Sequence, residues 1–246
     1  MIQVQNVSKE FKDKKRGKVI AVQDATFTCN TGRIFGLLGL NGAGKTTMLR
    51  MICTIMQPSS GTITVSGFDA HDQSDEVRRR IGFLPADGGL YEWYTPREIL
   101  RYFAQLCKYP QDKIEERLNR LIALMRIDEF ADRYAKHLSS GMTQKVCVAR
   151  AVVHDPPVVI FDEPTNSLDV LTSVSVHEFI RQCRDEGKCV VLSTHIMSEA
   201  QKLCDDIAIL HEGKILALAT LEELRNTTGL YELEDIFIKL VGAKEA

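Results

Sequence analysis

The nine residues Gly39-Leu40-Asn41-Gly42-Ala43-Gly44-Lys45-Thr46-Thr47 satisfy the pattern G-x-x-x-x-G-K-[ST] at every required position. The apolar run Ile34-Phe35-Gly36-Leu37-Leu38 precedes them, and Met48-Leu49-Arg50-Met51-Ile52 follows. The order predicted is a buried strand, a glycine-rich turn and a helix. The three glycines let the backbone turn tightly and aim successive N–H groups at one anion, with the positive end of a helix behind them. Lys45 can reach the β- and γ-phosphates of a nucleotide, and the Thr46 hydroxyl can join the shell of a Mg²⁺ ion.

At 246 residues the chain can bury a full core. A formal net charge of −2 gives no electrostatic reason to expect nucleic acid as a partner. No apolar run approaches the roughly 20 residues that cross a bilayer, and the start Met1-Ile2-Gln3-Val4-Gln5-Asn6 lacks the basic and apolar regions of a signal peptide. The cysteines at 29, 53, 107, 147, 183, 189 and 204 form no C-x-x-C pair. They read as reduced, buried thiols of a cytosolic protein.

In chain order, Ile2 to Val7 alternates as a half-buried strand does, and Val19 to Thr28 alternates again. Residues 1–30 therefore read as an antiparallel β layer, with the basic run Lys12 to Lys18 as a solvated hairpin or loop. Phe11 ends the first strand; core packing and stacking on a purine base are both open to it. Thr62–Val65 and Ile81–Leu84 read as short strands, and Arg78-Arg79-Arg80 as a solvated helix face. From 86 to 150 the pattern turns helical, with Pro96 at one helix start and Leu118, Leu121, Ile122 and Met125 on one face of another. This is a helical lobe set into an α/β core made of 1–85 and 151–246, all one domain. Val158-Val159-Ile160-Phe161 reads as a central parallel strand, a helix is expected near 171–185, and Cys189–Ser193 is the next strand. Two strands flank His211-Glu212-Gly213, and a charged helical tail begins at Leu221.

The central strand ends in Asp162-Glu163. The first carboxylate can hold the Mg²⁺ shell, and the second, free of the metal, can orient or deprotonate an attacking water. Upstream stands Leu138-Ser139-Ser140-Gly141-Met142, followed by Gln144-Lys145-Val146 and Ala149-Arg150-Ala151. This segment resembles the signature motif of ABC transporter ATPases. Asp162 to Asp169 is similar to the joined Walker B and D-loop segment of that family, and Ser193-Thr194-His195 to its switch-histidine segment. The resemblance covers nearly the whole chain. It implies a P-loop NTPase (RecA-like) core with an N-terminal antiparallel β layer and an inserted helical lobe. It also implies ATP hydrolysis with Mg²⁺, and Phe11 stacking on adenine.

The implied working unit is a head-to-tail pair, a homodimer by symmetry. Each ATP would lie between one phosphate loop and the other subunit's Ser139, Ser140, Gly141 and Met142. Asp169 would touch the opposite subunit and His195 would sense or stabilise the γ-phosphate. Three positions in two motifs depart from the family pattern. Ser140 and Met142 stand where a glycine and a glutamine are usual. Ala86 stands where a metal-touching glutamine is usual, leaving Asp87 next to it as a candidate carboxylate.

Gly88-Gly89-Leu90-Tyr91, Thr95-Pro96-Arg97-Glu98 and the tail Leu233 to Leu240 are similar to the ATPase subunits of ABC-2-type exporters, the NatA-type subunits of sodium-efflux systems among them. The implied partner is a separate integral membrane permease, with this chain peripheral on the inner face of the membrane. Nothing in these residues selects the cargo. A regulatory nucleotide-binding module with weak turnover, or a soluble ABC ATPase acting on ribosomes or DNA, would share the core motifs.

Overall fold

The computed structural model describes residues 1–13 and 17–245. Residues 14–16, the middle of the basic run expected as a hairpin or loop, lie outside the described residues.

Strands β1 (Ile2–Asp13) and β2 (Gly17–Cys29) pair antiparallel, and β1 also pairs antiparallel with β4 (Ser60–Val65). The short β5 (Phe68–Asp69) completes a four-stranded sheet in the order β2-β1-β4-β5. Its buried β1 residues are Ile2, Val4 and Val7, a spacing that a strict two-residue period cannot give. Asn6, at φ 51°, and Asp24, at φ 47°, absorb extra residues as β-bulges, and the register shifts there. The hydroxyl of Thr26 accepts the N–H of Asn6 at 2.9 Å, and that of Ser8 accepts the N–H of Asp24 at 2.9 Å. The bulged backbone is thereby satisfied.

The second sheet is built on β3 (Arg33–Leu38), β6 (Ile81–Leu84), β7 (Val158–Asp162), β8 (Cys189–Thr194), β9 (Asp206–His211) and β10 (Lys214–Ala219), in the order β10-β9-β3-β8-β7-β6. All neighbours are parallel except the β9–β10 hairpin. Every residue of β7 and β8 is buried, as a strand covered on both faces requires. The register pairs Leu38 with Thr194 and Ser193 with Asp162. The carboxyl ends of β3, β8 and β7 therefore coincide, and the three motif segments leave the sheet side by side. Open α/β sheets bind ligands at that edge.

Helix α1 (Lys45–Ile52) packs between the two sheets with Phe27, Phe35, Met48 and Leu49 in one core. Helix α2 (Ser74–Arg80) carries the arginine run, but only Arg78 and Arg79 are solvated. Arg80 lies 4.0 Å over the Phe68 ring, a cation–π contact at odds with a fully solvated face. The 86–150 stretch holds α3 (Pro96–Leu106), α4 (Ile114–Leu124) and α5 (Ser140–Ala151). Thr95 and Glu98 form a capping box at the start of α3. Leu118, Leu121, Ile122 and Met125 share a core with Val146 and Val148 of α5 and with Phe161 of β7.

Beyond β7 come α6 (Val170–Asp185) and α7 (Met197–Leu203). The tail forms α8 (Leu221–Thr228) and α9 (Leu233–Glu245) over Leu38, Ile207 and Ile209. Among the described residues no helix is long and apolar enough to cross a membrane. All seven cysteines are free, but Cys107 is exposed and Cys204 only partly covered, so the expectation of uniformly buried thiols fails at two positions.

Gly82 in β6 shows how tightly the sheet sits on the lobe. A Cβ there would lie 2.2 Å from the Ala151 carbonyl oxygen and 2.8 Å from Pro156 Cγ. Gly82→Ala is expected to cost about 1–3 kcal/mol, since backbone cannot retreat from the added methyl. A urea midpoint unchanged from the parent protein would contradict this packing.

Candidate active site

The phosphate loop leaves β3 at Leu38 and enters α1 at Lys45. Gly44, at φ 109°, is the residue before the helix, and a Cβ there would stand 2.3 Å from the Ala21 carbonyl oxygen. Only glycine meets both demands. Lys45 is 6% exposed; its Nζ donates to the Gly39 oxygen at 2.6 Å and the Leu40 oxygen at 3.3 Å. The same Nζ lies 3.2 Å from Glu163 Oε1. Glu163 Oε2 is 2.8 Å from His195 Nδ1. One carboxylate thus joins the loop lysine to the histidine at the end of β8.

Glu163 holds this place by its backbone. Its φ is 51°, left-handed for a non-glycine residue, and its N–H donates to the Ser193 oxygen at 2.9 Å. Such a conformation is unfavourable by itself and persists where surrounding structure enforces it. The chain turns sharply there, so adjacent carboxylates face different partners. Asp162 Oδ2 accepts from Thr46 Oγ1 at 3.0 Å, while its Oδ1 is buried without a partner. Burial, with the Glu163 charge beside it, pushes the Asp162 carboxyl above its ordinary range. A cation at this spot would reverse that shift and use the orphaned oxygen. Among the described residues no three His, Cys, Asp or Glu side chains converge as a metal cage. The donors Thr46 and Asp162 instead suit a hard cation completed by phosphate and water.

A cleft of about 280 Å³ opens over the loop. Leu40, Asn41, Gly42, Gly44, Lys45, Thr46 and Thr47 line it, with Glu163, Asn166 and His195 opposite and Ala21 and Ala86 at the sides. Backbone donors, a buried lysine, a carboxylate aimed beside a histidine and a hydroxyl–carboxylate pair are the groups that nucleoside-triphosphate hydrolysis calls for.

Comparison with known proteins agrees with this geometry. A family model described as ABC transporter matches residues 22–166. The chain is 42% identical over 243 residues to the ABC transporter ATP-binding protein NatA of Bacillus subtilis (strain 168), covering 98% of each. It is 35% identical to the Nod factor export ATP-binding protein I of Ralstonia nicotianae, covering 86% of this chain and 66% of that one. The solved structure of an ATP-binding subunit of an ABC transporter superposes with a TM-score of 0.89 at 32% identity, covering 98% and 99% of the two chains. A dimeric ATP-binding cassette in a post-hydrolysis state, bound to ADP and Pi, gives a TM-score of 0.81 at 26% identity, covering 89% and 98%.

The chain belongs to the ABC transporter ATP-binding family. It is an ATP-hydrolysing subunit with a P-loop core, as its motif order implies.

Not every residue nominated from the ABC pattern reaches the cleft. Gly39 and Ala43 belong to the loop but not to the lining; the Gly213 N–H donates to the Ala43 oxygen at 2.9 Å. Ala86 lines the cleft, whereas the neighbouring Asp87 is exposed and does not. Phe11 is exposed opposite Val19 on the β1–β2 hairpin, outside the lining; among the described residues of this hairpin, Ala21 lines the cleft. Ser139, Ser140, Gly141 and Met142 lie outside it too, at the start of α5. Ser139 caps that helix, its hydroxyl accepting the Met142 N–H at 3.3 Å.

Asp169 caps α6, accepting the Thr172 N–H at 2.9 Å and the Thr172 hydroxyl at 2.7 Å. These bonds hold its carboxyl below the ordinary range. Gly141 abuts this cap: a Cβ there would lie 2.9 Å from Thr172 Oγ1. Gly141 is thus a packing requirement between α5 and α6. Asn166 and Ala21 line the cleft without having been nominated. Asn166 sits within the quoted Asp162–Asp169 segment and could have been found; Ala21 carries no chemical signal at all.

Proposed function

We propose that this subunit powers a membrane exporter of the ABC-2 type by forming an ATP-dependent head-to-tail homodimer. One observation carries this reading. The phosphate loop, Glu163 and His195 share a cleft that Ser139–Met142 of the same chain do not line. A second copy can supply that segment, whose Ser139 and Ser140 are exposed at the positive end of α5. In the closed pair Lys45 turns from Glu163 to the β- and γ-phosphates, and the freed Glu163 orients and deprotonates the attacking water. His195 holds the γ-phosphate side of the cleft. Asp169 and Phe11 act at the subunit contact and at adenine, respectively. Thr46 and Asp162 would hold Mg²⁺, which neutralises charge developing on the phosphates; Asp87 is a further candidate ligand for it.

The permease surface is assigned to the 86–150 lobe of this single domain. Tyr91, Trp93, Tyr94 and Tyr102 are exposed there, between 49% and 69%, and Tyr91 meets Tyr94 and Tyr102 edge to face at 6.1 and 6.3 Å. An exposed aromatic group of this size is suited to a protein partner. The likeness to NatA supports Na⁺ as cargo and the cytosolic face of the membrane as location.

Affinity capture of the tagged chain from detergent-solubilised host membranes is expected to bring down one polytopic protein in equal amount. Recovery of ribosomal or DNA-repair proteins without it would reject the exporter reading. ²²Na⁺ flux in vesicles holding the captured pair then decides the cargo.

A further inference from the structure

Glu199 lies four residues beyond His195, in the first turn of α7, and is only 4% exposed. Its Oε1 accepts from Thr165 Oγ1 at 2.7 Å and meets His177 Nε2 at 2.8 Å; its Oε2 is buried without a partner. An ionised carboxylate only accepts hydrogen bonds, so the His177 nitrogen that faces it carries the proton. Burial pushes this carboxyl up, and the donors His177, Thr194 and Thr165 more than offset it, holding it below its ordinary range. The protein thus keeps a buried charge here that catalysis has not claimed.

What the charge touches suggests its task. Thr165 belongs to the segment from Glu163 to Asp169, which contains two non-glycine residues in left-handed conformation, Glu163 at φ 51° and Ser167 at φ 62°. A segment strained in this way keeps its shape only if neighbours hold it. Two side chains do so from different elements. Gln144 Nε2, on the helix that begins with the signature residues, donates to the Pro164 oxygen at 2.6 Å. Glu199, on the helix that follows His195, takes the Thr165 hydroxyl. His177, on the helix that Asp169 caps, fixes Glu199.

We propose that Glu199, oriented by His177, is a positioning residue for ATP hydrolysis. Through Thr165 it locks the Glu163–Asp169 segment to the His195 segment, so that the water-activating carboxylate and the inter-subunit aspartate are set by one buried group. Glu199 touches neither nucleotide nor water; it acts through the strained turn.

The test is steady-state Mg²⁺-ATP hydrolysis by the full chain, with Thr165→Val as the deciding variant because it keeps the branched shape and deletes only the hydroxyl. Thr165→Val and Glu199→Ala are each expected to lower kcat by about 10–100-fold while KM for ATP stays within about threefold, the pattern of lost transition-state alignment. Glu199→Gln, whose amide oxygen still accepts, should recover part of the loss. The double variant should be no slower than Glu199→Ala alone, since both substitutions cut one link. A folded Thr165→Val protein with parental kcat overturns the proposal. So does a fall in melting temperature for Glu199→Ala with kcat intact, which marks a packing role only.

Discussion

Glu163→Gln is expected to lower kcat by about 10²–10⁴-fold, the range a positioned general base contributes, while ATP still binds and still drives pairing. The amide keeps the size and the left-handed backbone site, so the turn at 163 is retained. It loses the ability to take a proton, and it faces Lys45 Nζ and His195 Nδ1 without charge. With Lys45 released from its ion pair, nucleotide affinity should be equal or tighter. The readouts are phosphate release under saturating Mg²⁺-ATP and the mass of the ATP-bound species in sedimentation. Turnover within a factor of about three of the parent protein would show that another group activates water. A variant that stays monomeric with ATP would refute the inter-subunit arrangement instead.

Lys45→Met is expected to weaken ATP binding by about 10–100-fold, as loss of a charge-assisted contact to phosphate does, and to abolish measurable hydrolysis. Lys45 is nearly as long as methionine, so the buried stem remains packed and only the cation goes. Its Nζ now satisfies the carbonyls of Gly39 and Leu40 as well as Glu163. In the variant Glu163 keeps His195 alone. Titration calorimetry measures the affinity, and circular dichroism confirms that the loop's removal from charge has not unfolded α1. Unchanged ATP affinity in a folded variant would mean that the backbone N–H groups of the loop suffice, and that the lysine serves to restrain Glu163 before nucleotide arrives. The two variants are therefore complementary, each removing one side of the 3.2 Å pair.

The elements that position the chemistry were legible in the sequence because each carries a local signature. Val158–Phe161 is apolar without interruption, as a strand covered on both faces must be, and the phosphate loop combines three glycines with a lysine and two threonines in one short span. Paired carboxylates at a strand end and a histidine after the next strand locate the remaining chemistry. What could not be read depends on contacts distant in sequence. β5, two residues long, exists because Thr64 and Val65 pair with it, and propensity cannot signal so short a strand. Arg80 looks solvated until Phe68 is placed beneath it. The bulges at Asn6 and Asp24 appear only when Val7 has to face the same core as Val4. Asp169 also caps its own helix, Oδ1 taking the Thr172 N–H and Oδ2 the Thr172 hydroxyl, a role that Thr172 three residues on could have suggested. Glu199 and His177 lie 22 residues apart and carry no motif between them.

The separation of Ser139–Met142 from the cleft of the same chain has a kinetic corollary. If, as proposed above, a second copy completes the hydrolytic centre, the subunit has no fixed specific activity. Where pairs are scarce its rate per molecule falls in proportion to protein concentration, the total rate following the square, so a value quoted without protein concentration is undefined. A membrane partner that seats two copies side by side removes that dependence, replacing bulk concentration by a local one of about millimolar order. On the pairing proposed above, ATP consumption would be gated by address: copies adrift in solution would idle, and those gathered at one permease would turn nucleotide over.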